Sequence, residues 1–208
     1  MNFFMIQKKA ALFLTFTVFW FLPQGVFCGE ENPLVNIQDI NPRIRLDIRY
    51  ATPDNFMGEP LYPAARCLLR REVAVKLSRI QDRIEKKGLG LKIFDGYRPL
   101  SVQKKMWAKF PLEGYIANPA KGSNHNRGAA VDLTLVDASG HELPMPSDYD
   151  EFSERAHRDY AGGGPEQLKN RRLLEEEMAR EGFVGLSIEW WHFDDQDAKR
   201  YPLLDFPV

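Results

Sequence analysis

His125 and Asp132 stand seven residues apart in Ser123-Asn124-His125-Asn126-Arg127-Gly128-Ala129-Ala130-Val131-Asp132, with Gly128 between them. Neutral imidazole and carboxylate are both good zinc ligands. A glycine between them lets the backbone bend so that the two converge. A second imidazole closes Glu189-Trp190-Trp191-His192, beside a carboxylate and in an aromatic, water-poor setting. Two histidines and one carboxylate fill three positions of a tetrahedral zinc site and leave the fourth for water. Zinc lowers the pKa of such a water to about 7, and Glu189, beside His192 but not needed as a ligand, is the candidate base. Arg98, in Asp95-Gly96-Tyr97-Arg98-Pro99, sits at a strand end with Gly and Pro around it. It has two readings: a stabiliser of the oxyanion of a tetrahedral intermediate, or half of a structural ion pair with Asp95.

These residues need elements to carry them. The alternation in 44–50 predicts a half-buried strand ending at Tyr50, followed by a loop over 51–62 rich in Pro, Asn and Gly. Leu69, Val73, Leu77, Ile80 and Ile84 recur at helical spacing, with Gly88 as the stop. Residues 89–94 read as a strand delivering Arg98, and Pro99 opens a helix to about Phe110 with Val102, Met106 and Phe110 on one face. Residues 129–136 continue the His125 stretch as a strand, and Asp137-Ala138-Ser139-Gly140 is a turn. The acidic run Asp148-Tyr149-Asp150-Glu151 reads by itself as a solvated face, and 165–181 as a helix. In a regular strand Glu189 and His192 would point to opposite faces. If both serve one site, the strand must bulge or end between them.

With 208 residues, 44% of them hydrophobic, the chain is long enough for one sizeable core. A net charge of -1 gives no basic field for nucleic acid. The first residues differ from the rest: Lys8 and Lys9 precede an apolar run over 10–22, Pro23-Gln24-Gly25 breaks it, and Val26-Phe27-Cys28-Gly29 offers a cleavage site. That pattern predicts a signal peptide over 1–28, an exported and periplasmic protein, and no membrane span in the mature chain. Lipid anchoring through Cys28 is disfavoured by the bulky Phe27. Residues 30–42 read as an exposed lead-in. Cys67, left alone after cleavage, is expected to be buried.

The Ser123-x-His125-x-x-Gly128-x-Ala130-x-Asp132, Glu189-Trp190-Trp191-His192 and Asp95-Gly96-Tyr97-Arg98-Pro99 motifs, in that company, resemble the D-alanyl-D-alanine dipeptidases of peptidase family M15. The likeness runs from about Ile44 to Pro207. It implies one α+β domain over 29–208, with a small antiparallel sheet bearing the zinc site and flanking helices, of the Hedgehog/DD-peptidase type. It implies one zinc ion on His125, Asp132 and His192, Glu189 as base and Arg98 as transition-state stabiliser. It also implies that Asp150, with Tyr50 and Ser123, receives the free ammonium of the dipeptide D-Ala-D-Ala. The segment between Arg98 and Ser123 is shorter than in the vancomycin-resistance members, and Asn124 stands where they have serine. The rival readings are a zinc D,D-carboxypeptidase trimming longer stems, which needs a pocket open at the amino side, and a non-catalytic zinc-containing wall-binding module.

Overall fold

The computed structural model describes Met1 and residues 33–208. The predicted signal peptide and Cys28 fall outside the described residues. Among the described residues no helix is long and apolar enough to cross a membrane.

A five-stranded sheet forms the centre, in the order β2 (Arg45–Leu46), β4 (Leu89–Asp95), β5 (Ala130–Asp137), β7 (Glu189–Asp195), β6 (Phe183–Leu186). It is antiparallel except at one edge, where β2 runs parallel to β4. Helix α2 (Arg71–Ile84) is the main buttress, and Val73, Leu77, Ile80 and Ile84 are fully buried along one stripe. It ends through a short turn at Gly88, whose φ of 73° suits a glycine stop. Helices α3 (Leu100–Lys109) and α4 (Pro165–Ala179) complete the flanking layer. The architecture is thus α+β, with this five-stranded sheet at the centre and helices packed around it.

Four expectations need correction. The strand over 44–50 shrinks to Arg45–Leu46, because the chain then turns through Arg49–Ala51, where the Arg49 guanidinium binds Asp47 and Asp54. The lead-in over 30–42 is not merely exposed: β1 (Leu34–Asn36) pairs with β3 (Leu68–Arg70), and Ile37, in the helical turn α1 (Ile37–Ile40), is fully buried. Leu69 therefore belongs to a strand rather than to the helix, since β3 offers its backbone to β1. Phe110 caps α3 and is 41% exposed, so Met106 carries the buried face instead. Cys67 is a buried free thiol, and burial raises its pKa.

Candidate active site

Strand β5 is the middle strand of the sheet, and alternation sends Val131 and Leu133 to one face and Asp132 to the other. Asp132 has Asp95 of β4 as its neighbour on one side and His192 of β7 on the other. The pairing of β5 with β4 is irregular, and so is that of β7 with β6 on its other side. The register of β4 shifts between Ile93, opposite Leu133, and Asp95, opposite Asp132. On the far side Gly185 pairs with Phe193 while Leu186 pairs with Glu189, so Trp190, Trp191 and His192 bulge out of the β6 ladder. This is the distortion that strand alternation demanded. Glu189 and His192 both line the pocket, with Oε2 and Nδ1 4.0 Å apart.

His125 enters from the opposite wall. It begins a single 3-10 turn, His125–Arg127, which Gly128 ends with a left-handed φ of 67° before β5 starts. Its Nδ1 lies 2.7 Å from the Gly96 carbonyl oxygen. A carbonyl only accepts, so Nδ1 carries the proton and Nε2 presents its lone pair. His192 is fixed the other way round, its Nε2 lying 3.0 Å from Oδ1 of Asp194 and its Nδ1 facing inward. Nε2 of His125, Nδ1 of His192 and Oδ1 of Asp132 then stand 3.1, 3.3 and 3.0 Å from one another around the triangle. All three residues are buried.

The residues fit a metal ion. A tetrahedral zinc with bonds of about 2.1 Å would space its ligand atoms about 3.4 Å apart, close to what the triangle shows. The outer partners on the unused ring nitrogens are those a metal-bound histidine requires. The electrostatics agree. Burial opposes a charged Asp132, yet His125 and then His192 hold its pKa far below the usual carboxylate range. Burial likewise opposes a charged His192, yet Asp132 and Asp194 push it up to about 10. The site is built to hold positive charge between these groups.

Arg98 reaches the same pocket from the loop after β4. The Asp95 ion pair exists, and it is what aims the side chain. Nε and Nη2 fork onto Oδ2 of Asp95 at 3.1 and 2.7 Å, while Nη1 donates to Gln103 at 3.0 Å. These three bonds leave one N–H on each terminal nitrogen for the pocket. Asp95 in turn accepts from Tyr62, and Gln103 donates to the carbonyl of Ala117 in the pocket wall. At the other end Asp150 accepts from the Tyr50 hydroxyl at 2.9 Å. Among the described residues Asp150 is the non-glycine residue with positive φ, 59°, a conformation that Asp tolerates better than most. Burial, then the charges of Asp132 and Glu189, raise its pKa well above normal. Ser123 lines the wall, its hydroxyl accepting from the His125 backbone N–H at 3.2 Å. Glu189 is 6% exposed, and burial above all pushes it up to about 7. The cavity enclosed by these groups is about 410 Å3, at the small end of ligand sites.

A family described as D-ala-D-ala dipeptidase, Peptidase_M15, matches residues 30–207. The chain belongs to this dipeptidase family. A D-alanyl-D-alanine dipeptidase of Escherichia coli K12 is 40% identical over 176 residues, covering 85% of this chain and 91% of that protein. One from Enterococcus faecium is 35% identical over 195 residues, covering 83% and 96%. The solved LdcB LD-carboxypeptidase aligns with a TM-score of 0.42 at 22% identity, over 64% of this chain and 63% of that one. The family is one of hydrolytic metallopeptidases, which makes this chain an enzyme.

For this dipeptidase-family chain, His125, Asp132, His192, Glu189, Arg98, Asp150, Tyr50 and Ser123 all line one pocket. The solvated reading of Asp150 gives way to a pocket position, whereas Asp148 is exposed as expected. His141 is exposed beside Asp137, and His157 meets Tyr115 behind the wall. Sequence reasoning missed Asp194, Gln103 and Tyr149, whose hydroxyl donates to the second oxygen of Asp132 at 3.1 Å. Asp194 carried a usable signal: two residues beyond His192 in a strand, it shares that face.

Proposed function

We propose that this chain hydrolyses D-Ala-D-Ala to two D-alanines, with one zinc ion held by His125, Asp132 and His192. The observation that carries this reading is the triangle of ligand atoms facing a pocket that also holds Glu189, Arg98 and the Asp150–Tyr50 pair. Zinc bound there would acidify water and polarise the scissile carbonyl. Glu189 takes the proton of the attacking water and returns it to the departing amine, so that the C–N bond breaks and two free amino acids leave. Its support is a carboxyl pKa of about 7 in a desolvated position, suited to exchanging protons near neutrality. Arg98, locked by Asp95 and Gln103, turns its two spare N–H groups to the oxyanion that develops on the carbonyl oxygen. Asp150, backed by Tyr50, takes the substrate ammonium and so measures length from the amino end. Dipeptides fit this arrangement and longer stems collide with it.

The test is D-alanine release by the zinc-loaded protein, given D-Ala-D-Ala and a tripeptide ending in D-Ala-D-Ala in parallel. Cleavage of the dipeptide alone is expected. Cleavage of both would move the reading to a D,D-carboxypeptidase, and cleavage of neither with zinc bound would leave a binding module. We further propose that residues 1–28 are a signal peptide and that the enzyme works in the periplasm on dipeptide released from the wall. The support is the Lys8-Lys9 pair, the apolar run over 10–22 and the break after it. A mature amino terminus at Gly29 in the periplasmic fraction is expected; an intact Met1, or a lipid on Cys28, would overturn it.

A further inference from the structure

The bulge that brings Glu189 and His192 to one pocket leaves backbone groups of the 186–192 stretch out of register with β6. Such groups must find other partners. Arg158 supplies them, although it does not line the pocket. Its backbone N–H donates to Ser187 O at 2.9 Å and its Nε to Leu186 O at 2.9 Å. Its Nη2 donates to Trp190 O at 3.1 Å and to His192 O at 2.7 Å. All four bonds fall within the displaced segment. The guanidinium is buried, 4.3 Å from the Phe193 ring centroid, and burial lowers its pKa to about 10. Its ion pair is a distant one, 3.8 Å to Glu175, so charge pairing does not explain its position.

Gly185 bears on the same point. Its φ is not in the left-handed region, so the backbone does not require glycine. A Cβ there would nevertheless come under 3.0 Å from Nε, Cζ and Nη2 of Arg158. Gly185, at the last regular pair before the bulge, leaves room for the guanidinium.

We propose that Arg158 is a positioning residue that fixes the register shift, with Gly185 as its seat, and so orients Glu189 and His192 toward one another's site. This rests on reading His192 as a metal ligand and Glu189 as the base. The step from Arg158 to function is mechanical: it holds the carbonyl of His192 itself and that of Trp190, next to Glu189.

The experiment compares wild type, Arg158→Met, Gly185→Ala and the double variant. Zinc affinity is read by chelator competition on folded protein, and kcat and KM are read at saturating zinc. Each single variant is expected to weaken zinc binding and lower kcat by about 10- to 100-fold, with KM little changed. The double variant should be no worse than Arg158→Met, because the guanidinium atoms that the added methyl group would strike are gone. Arg158→Lys, which keeps the charge but loses the fork, should not rescue. A lowered melting temperature with unchanged zinc affinity and kcat would mean a merely structural role and overturn the proposal. If Arg158→Met fails to fold, Gly185→Ala alone carries the same test. Wild type that binds no zinc would refute the metal reading and the proposal with it; active, zinc-binding wild type with unaltered variants would refute the proposal alone.

Discussion

Replacing Glu189 by Gln should make the metal-free protein more stable at neutral and alkaline pH, even as it removes activity. Gln has the same shape and cannot ionise. In the folded protein Glu189 is desolvated, and its pKa rises from 4.5 to about 7. That difference corresponds to about 3 kcal/mol at about 1.4 kcal/mol for each tenfold change in proton affinity. The sign follows from linkage. A group whose folded pKa is raised contributes stability that is complete below its unfolded pKa and is lost as pH rises through its folded pKa. Wild type should therefore lose about 3 kcal/mol from this one group between about pH 4.5 and pH 8, while the variant does not. His192 and Asp132 titrate in both proteins, and the groups that hold the His192 proton are Asp132 and Asp194; the difference between the two proteins therefore reports Glu189 together with its repulsion of Asp150, which acts in the same direction. The assay is urea unfolding of chelator-treated wild type and variant across that range. A gap that grows with pH is expected, largest at pH 8 and smaller once zinc is added, because a nearby cation favours the carboxylate. A gap that does not change with pH, or a variant less stable at pH 8, would refute the burial argument. Loss of zinc by the variant would instead show that Glu189 is a ligand.

Arg98→Lys keeps a charge but cannot fork onto Asp95 while reaching Gln103; kcat should fall about 100- to 1,000-fold with zinc retained and KM little changed. Asp150→Asn preserves the tolerance for a positive φ and removes the charge, so KM for D-Ala-D-Ala should rise by about 10- to 100-fold in steady-state assays. The same change should narrow the preference for the dipeptide over a tripeptide. Gly128→Ala meets both a left-handed φ and Cδ2 of Leu34; a loss of at least about 1 kcal/mol, or a few degrees in melting temperature, is expected by calorimetry.

The sequence was most legible where short-range periodicity decides structure. The stripe of Val73, Leu77, Ile80 and Ile84, the apolar runs of β4 and β5, and the glycine stops at Gly88 and Gly128 need no distant partner to be recognised. The bulge at Glu189 to His192 was also legible, because a period of two and a shared site are incompatible without one. Pairing between short, distant segments was not. Nothing local in Leu34-Val35-Asn36 announces a strand; it forms because Leu68–Arg70 presents three residues of free edge. The 44–50 stretch failed for the converse reason: alternation persists to Ile48, but ion pairs from Arg49 draw the chain into a turn. At the site, the candidate ligands, base and Arg98 stood in motifs, while Gln103 and Arg158 did not. Gln103, on a helix face, accepts from the Arg98 guanidinium, and Arg158, on a connecting segment, donates to backbone carbonyls; only the fold brings these partners near.

The pocket also explains why its builders are so heavily braced. Asp132, Asp150 and Glu189 face one small cavity, and the charges of Asp132 and Glu189 raise the pKa of Asp150, as that of Asp132 does for Glu189. Like charges this close cannot all ionise in a desolvated space without cost. A fold selected for stability alone would scatter them. Here each has an external hold instead: Tyr149 on Asp132, Tyr50 on Asp150, and the stapled bulge under Glu189. Two cations of the proposed reaction, the zinc ion and the substrate ammonium, meet this excess at opposite ends. The unfavourable charge of the empty pocket then becomes binding energy, because each cation relieves repulsion that the folded chain already carries. Rigidity is the condition for this. If Arg158, Tyr149 or Tyr50 let go, the carboxylates could swing apart, the repulsion would relax without any ligand, and the preorganised attraction for both cations would be lost together.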